Sequence, residues 1–471
     1  VTSEPMAAGT VARDDDRIRA LPRTLLLIAL VVAISSSLGS PLITSVAITL
    51  HVSLAAAQWT LTIALLTGAV ATPVLGRLGT GPRRRAVFLG TLGVVVAGSA
   101  LAVLPLSLGF LLVGRAAAGC GLAMVPLMIA AAREHLDGDR AASTIAMVSV
   151  ASTVGVGVGY PLAGYLTDVG GIRAAYAVGL VLTTIAFAAA VRAFPESSQP
   201  SAPKPDAIAS LLLAAGLLVL LLILGEPALL QRHLGVALVL ALVAVLLLAG
   251  WVMRERRLTV PLVNLRLLRH RAVAGANAAM LVAGAGMYLL LSCITRYVQT
   301  PQAVGYGFGL STFTAGLFLV PFSILGFVAG RISPRVRKRM SAHALLIVST
   351  AVVLVAFVVF AIDRGDIAGP LVAMSLLGFG VGAFSAAMPA VILAVTPAEE
   401  TAGAMGVNQV VRSIGFSLGS TLSALILAAY TAAGAVFPSS EGYTSAAWIG
   451  VGITGFALVI AVTSRARPGR P

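Results

Sequence analysis

The chain is short of charge, and shorter still of acid. Of its 471 residues only 10% are charged, with 17 acidic residues against 32 Lys and Arg, whereas a soluble domain is about 25% charged. A soluble fold of this size could not cover its surface with so few. Cysteine is nearly absent. Cys120 and Cys293 are the only two, and both fall inside apolar runs, so neither a disulfide framework nor a metal site is indicated. The five histidines are scattered. There is no HExxH, no Ser-His-Asp arrangement and no phosphate-binding glycine loop, so the sequence supports neither an enzyme nor a cofactor. No loop is long enough to house the ATP-binding domain of a primary pump.

What the chain has is apolar length. Hydrophobic residues make up 58% of it, and the mean hydropathy is +1.00. Runs of about 20 apolar residues, enough to cross a hydrocarbon layer about 30 Å thick, recur throughout. They contain no alternation of apolar and polar positions, which disfavours a closed barrel and leaves helices. The pattern predicts an all-α polytopic membrane protein with fourteen transmembrane helices.

Basic residues give an independent test, because cytoplasmic loops carry the excess. If the N-terminus is cytoplasmic, 26 of the 32 Lys and Arg fall on the inside. Only Arg173, Arg232, Arg296 and Arg364 fall outside, and Arg115 and Arg412 lie within helices. Both termini are therefore expected in the cytoplasm, in a multi-pass protein of a cell inner membrane or plasma membrane. The sequence pI of about 11.0 and net charge of +15 would suggest nucleic acid in a soluble protein. Here the charge sits in juxtamembrane loops, where anionic lipid headgroups are the expected partner.

Two similar tripeptides close helices at comparable places. Gly76-Arg77-Leu78 precedes Arg83 to Arg85, and Gly330-Arg331-Ile332 precedes a second basic run ending at Arg339. An internal duplication is the simplest account. It divides the chain into a disordered cytoplasmic tail (1–23), a six-helix bundle (24–192), a linker (193–206), two inserted helices (207–252), a basic linker with a short interfacial helix (253–271), a second six-helix bundle (272–463) and a cytoplasmic tail (464–471). Duplicated halves of this kind are an architecture of secondary transporters, with the solute site between them near mid-membrane.

Four motifs carry chemistry. The loop GRLGTGPRRR runs from Gly76 to Arg85. LLVGRAAAGCG buries Arg115, which must face a cavity or bond to backbone carbonyls. GVGVGYPLAG, from Gly155 to Gly164, strips side chains from a helix stripe at Gly155, Gly159 and Gly164 so that another helix can approach, with Pro161 between. AGAMGVNQVVRSIGFSLG places Asn408, Gln409 and Arg412 within about one turn, with Asn408 and Arg412 on one face. With these motifs the sequence resembles the major facilitator superfamily, specifically its fourteen-helix drug:proton antiporter branch, over nearly the whole chain.

The resemblance implies a major facilitator fold of two six-helix bundles plus two additional helices, alternating access, and export of amphipathic, drug-like or lipid-like molecules. The alternatives are a proton-independent facilitator or importer, and a non-transporting sensor or lipid-binding protein. It implies a transport cavity at Arg115, Asn408, Gln409, Arg412, Ser36, Ser37 and Asn277, and gating or helix packing at Gly76, Arg77, Thr80, Arg84, Gly155, Gly159, Pro161, Gly164, Gly330 and Arg331. Two departures stand out. Thr80 occupies the place of the family's loop Asp; it can cap a helix but not form its ion pair, so the cytoplasmic latch should be weaker or borrow Asp137 or Asp139. Ser36 and Ser37 stand where the first helix usually carries an Asp, leaving Asp168 and His51 as candidate proton sites.

Overall fold

The computed structural model describes residues 5–39, 42–104, 107–197, 199, 205–259, 261–432, 435 and 437–464. Residues 1–4, 198 and 200–204 of the expected N-terminal tail and first linker, and 465–471 of the expected C-terminal tail, lie outside this set.

Among the described residues there are eighteen α-helices, four short 3-10 turns and no strand. A first group comprises α1 (Pro5–Ser37), α2 (Ile43–Thr49), α3 (Leu54–Leu78), α4 (Arg84–Val103), α5 (Leu108–Gly119), α6 (Met124–His135) and α7 (Gly138–Ala193). Next come α8 (Ala207–Gly225), α9 (Pro227–Arg232), α10 (Leu234–Glu255) and α11 (Leu265–Leu268). The last group is α12 (Arg271–Gln299), α13 (Thr312–Leu317), α14 (Leu319–Val336), α15 (Ala342–Ile362), α16 (Ala368–Leu393), α17 (Thr401–Ala429) and α18 (Ser440–Thr463). Helix is the form in which apolar sequence can satisfy its own backbone in lipid. Polar residues start the helices: Ser53, Ser107, Asp206, Ser311 and Ser341 each accept the amide three residues on, meeting donors that have no intrahelical partner.

Among the described residues, thirteen helical segments are long and apolar enough to cross a membrane, one fewer than the sequence suggests. The difference lies in α7, a single run of 56 residues that would be about 84 Å long if straight. It is not straight. Gly170 and Gly171 leave helical geometry, Gly171 with φ 66°, a conformation that only glycine adopts at no steric penalty. Gly159 packs on Ser37 while Gly179 packs on Leu38, so two residues that a straight helix would hold about 30 Å apart meet the same end of α1.

The N-terminal region also differs from expectation. Residues 5–23 are not a disordered tail but the first turns of α1, continuous with the span that follows. The interfacial helix expected in the basic linker is reduced to one turn, α11, capped by Asn264.

The glycines of the two Gly-Arg tripeptides both sit at contacts between the helix groups. Gly76 of α3 approaches the backbone of Ala402 on α17, and Gly330 of α14 approaches Val150 on α7. Each thus lets its helix close against the other group, at the end of the molecule that carries the basic loops.

Candidate functional site

A cavity of about 270 Å³ lies between the two helix groups. Its walls come from α1 (Ser36, Ser37), α3 (Gln58, Leu61, Thr62, Leu65), α7 (Tyr160), α8 (Leu221, Leu224), α12 (Tyr288), α14 (Phe322), α16 (Ser385) and α17. α17 contributes Gln409, Arg412, Ser413, Phe416, Ser417 and Ser420, a stripe at helical spacing. Among the described residues lining the cavity, Arg412 is the single charged one. Its guanidinium carbon stands 6.0 Å from the centre of the Phe416 ring, whose neighbour is Tyr288 at 5.5 Å. The site is therefore a mostly apolar chamber with hydroxyls, two glutamine amides and one arginine among its described lining, the composition of a small-molecule pocket.

The structure separates the expected cavity residues. Ser36, Ser37, Gln409 and Arg412 line the chamber, whereas Arg115, Asn408 and Asn277 are not on its wall. Asn408 lies about 100° round the helix from Gln409 and donates to Asn277 Oδ1 at 3.0 Å, tying α17 to α12. Arg115 is 2% exposed. It donates from Nη1 to Ser35 O at 2.9 Å, from Nη2 to Ser36 O at 3.1 Å and from Nε to Thr60 O at 3.1 Å. Two of these acceptors belong to the last turn of α1, where carbonyls lack intrahelical partners and the helix dipole is negative. Arg115 is a buried C-cap of α1. Asp168 and His51 are exposed and off the cavity wall, His51 at φ 52° in the turn after α2.

At the basic end the two groups are joined. Arg133 of α6 donates from Nη2 to Leu393 O at 3.2 Å and Thr396 O at 2.8 Å, and from Nη1 to Thr401 Oγ1 at 2.8 Å, capping the end of α16 across the seam. Lys338 meets Asp139 at 2.5 Å, in solvent, where such a pair contributes little. Asp139 is one of the two acids expected to be borrowed. Thr80 does not cap the following helix; its hydroxyl donates back to Arg77 O at 2.7 Å. Arg77 is half-buried and Arg331 exposed.

The loop's ion pair is made by Arg84 with Glu134, both buried. Arg84 also donates to Gln199 Oε1 at 2.9 Å, and Ser197 donates to Glu134 at 2.8 Å. Glu134→Gln should destabilise the protein by about 3–5 kcal/mol, because it leaves a buried guanidinium uncompensated. Thermal unfolding of the purified protein would show this, and a melting temperature unchanged from that of the unmodified chain would contradict it.

The glycine motif of α7 works on two faces. Gly155 and Gly159 admit Ala33 and Ser37 of α1, and Ser37 Oγ donates to Gly155 O at 3.1 Å. Gly164 faces Phe313, and Pro161 lies against Gly316, both on α13. Gly157, not singled out from the sequence, admits Leu319 and Ser323 of α14. The Gly-x-Gly-x-Gly spacing was the available signal, since alternate glycines clear different helix faces. Arg133 and Glu134 carried no such signal, being two charges among many at a helix end.

Known proteins agree with this architecture. Residues 25–420 match the family model of the Major Facilitator Superfamily. The chain is 28% identical over 414 residues to the Uncharacterized MFS-type transporter YwoD of Bacillus subtilis, covering 84% of this chain and 86% of that one. It is 27% identical over 365 residues to the Drug efflux pump JefA of Mycobacterium tuberculosis, covering 76% and 70%. The crystal structure of the human organic anion transporter MFSD10 (TETRAN) shares the fold, with a TM-score of 0.69 at 13% identity over 94% of this chain and 99% of that one. Thirteen membrane-length helices, an inter-group cavity and a family match spanning most of the sequence lead to one identification: the chain belongs to the Major Facilitator Superfamily, as a multi-pass membrane transporter of small solutes and not an enzyme.

Proposed function

We propose that this protein exports neutral or anionic amphiphiles by alternating access between two six-helix halves, α1 to α7 and α12 to α18. Counting α7 as two spans broken at Gly170 and Gly171 gives fourteen crossings, with both termini on the side of the basic loops, which the excess of Lys and Arg assigns to the cytoplasm. The observation that carries the reading is the cavity: both halves line it, and among its described lining residues Arg412 is the one charged residue. Its lining lies toward the non-basic ends of α1, α3 and α8, while Arg133 and the close approaches at Gly76 and Gly330 hold the basic end shut. The arrangement fits an outward-facing state. The likeness to a drug efflux pump supports export.

Proton coupling through Asp168 or His51 gains no support from geometry. Both are exposed and off the cavity wall, and the described cavity lining contains no carboxylate. Counterflow in proteoliposomes tests the function. Fluorescein loaded on one side should drive uptake of labelled fluorescein from the other. Asp168→Asn and His51→Gln should leave the flux and its pH response unchanged. Saturable binding without any counterflow would instead identify a sensor or lipid-binding protein.

A further inference from the structure

The pair α8 and α10 lies outside both halves in sequence, and its two members have different surroundings. α10 faces outward with Leu238, Val239, Leu242 and Leu246. α8 has one outward face, with Leu211 69% exposed, and one face turned to the cavity, where Leu221, Leu224 and Gly225 form part of the lining. Its position spans the seam between α3 and α17. Leu221 is buried with Leu66 and Ala69 of α3, and Leu213 and Leu217 are buried with Val410 of α17.

The attachments to α17 are the more specific. α8 ends at Gly225, so the Leu224 carbonyl has no amide within its own helix to accept. Thr421 of α17 supplies its hydroxyl to that carbonyl. At the other end, Asp206 at the start of α8 pairs with Arg254 near the end of α10 at 2.9 Å, and the Arg254 hydrogen bond together with the Ala209 amide holds the Asp206 carboxyl below the usual range. Glu255, 2% exposed, accepts the Val263 amide at 2.6 Å. That bond seats Leu262 and Val263 in the cluster shared with Leu213, Leu217 and Val410. One hydrogen bond near the end of α8 and linker packing near its start join the pair to α17, whereas the contact with α3 is apolar.

We propose that α8 is a third wall of the solute cavity, and that Leu221, Leu224 and Gly225 set the bulk of the amphiphile admitted. The proposal rests on the reading of this cavity as the solute site. An inserted helix that merely filled space against lipid would place no residue in the chamber.

Cysteine accessibility in the full chain, with Cys120→Ala and Cys293→Ala as background, tests the wall. The water-soluble anion methanethiosulfonate ethylsulfonate should modify Leu224→Cys at a rate like that of Gln409→Cys. Leu211→Cys should react about a hundredfold more slowly, because a charged reagent is excluded from hydrocarbon. Fluorescein should protect Leu224→Cys and Gln409→Cys alike. Leu224→Trp should weaken fluorescein binding and spare benzoate, a smaller anion, and Leu224→Ala should spare both. Slow reaction at Leu224→Cys with fast reaction at Gln409→Cys would overturn the wall while leaving the cavity reading intact. Slow reaction at both would overturn both. Equal loss of the two anions in Leu224→Trp, or loss of neither, would overturn the size limit.

Discussion

Arg115→Gln should destabilise the protein by at least about 3 kcal/mol, since hydrogen bonds to charged groups contribute about 1.5–3 kcal/mol each and three are lost. The three acceptors, Ser35 O, Ser36 O and Thr60 O, join α5 to both α1 and α3. Glutamine is too short to reach them and carries no charge to set against the helix end, so the final carbonyls of α1 would be left buried without donors. Arg115→Lys should recover only part of the loss, because an ammonium cannot match the planar fork. Gly39 is part of the same device, since a Cβ there would lie 2.7 Å from Arg115 Nη2; Gly39→Ala should destabilise in the same direction. Denaturation of the purified protein, followed by loss of monodisperse elution, reads all three variants. If Arg115→Gln melts with the unmodified chain, the side chain is not the cap of α1 described here. Arg115 also lies off the cavity wall, so a variant that survives should keep the charge preference of the unmodified chain.

This separation of the two intramembrane arginines marks where sequence reasoning stopped. Apolar length and the distribution of Lys and Arg identified a polytopic helical protein, because lipid leaves the backbone few options. The paired Gly-Arg markers suggested a duplication, and in the structure Gly76 and Gly330 each approach a helix of the other group. Composition cannot say which way a buried arginine points. Arg115 and Arg412 read alike in sequence, but one closes a helix end and the other lines a chamber. Asn408 was grouped with Arg412 by spacing, yet the rotation of α17 turns it toward Asn277. The ion pair missing at Thr80 is supplied by Glu134, fifty positions beyond Arg84, a distance over which the chain gives no local signal. The inserted pair was illegible for the opposite reason: Leu221 and Leu224 are two leucines among many, and only the fold shows that they face a cavity.

The charge of that cavity decides what it admits. In a low-dielectric chamber a fixed guanidinium acts on a solute far more strongly than it would in water, and the described lining offers no carboxylate to receive a cation. Arg412 stands beside Phe416 and Tyr288, so an aromatic solute with a carboxylate or phosphate could stack on the rings while its charge meets the arginine. The most direct measurement compares binding of three xanthene dyes of matched size, anionic fluorescein, a neutral fluorescein ether and a cationic rhodamine ester, to the unmodified chain, Arg412→Gln and Arg412→Glu. The unmodified chain should prefer the anion and bind the cation most weakly. Arg412→Gln should lose about tenfold to a hundredfold in anion affinity, the equivalent of one hydrogen bond to a charged group, with the neutral dye little changed, and Arg412→Glu should reverse the order. Tightest binding of the cation to the unmodified chain, or an anion preference that both substitutions leave intact, would contradict the account.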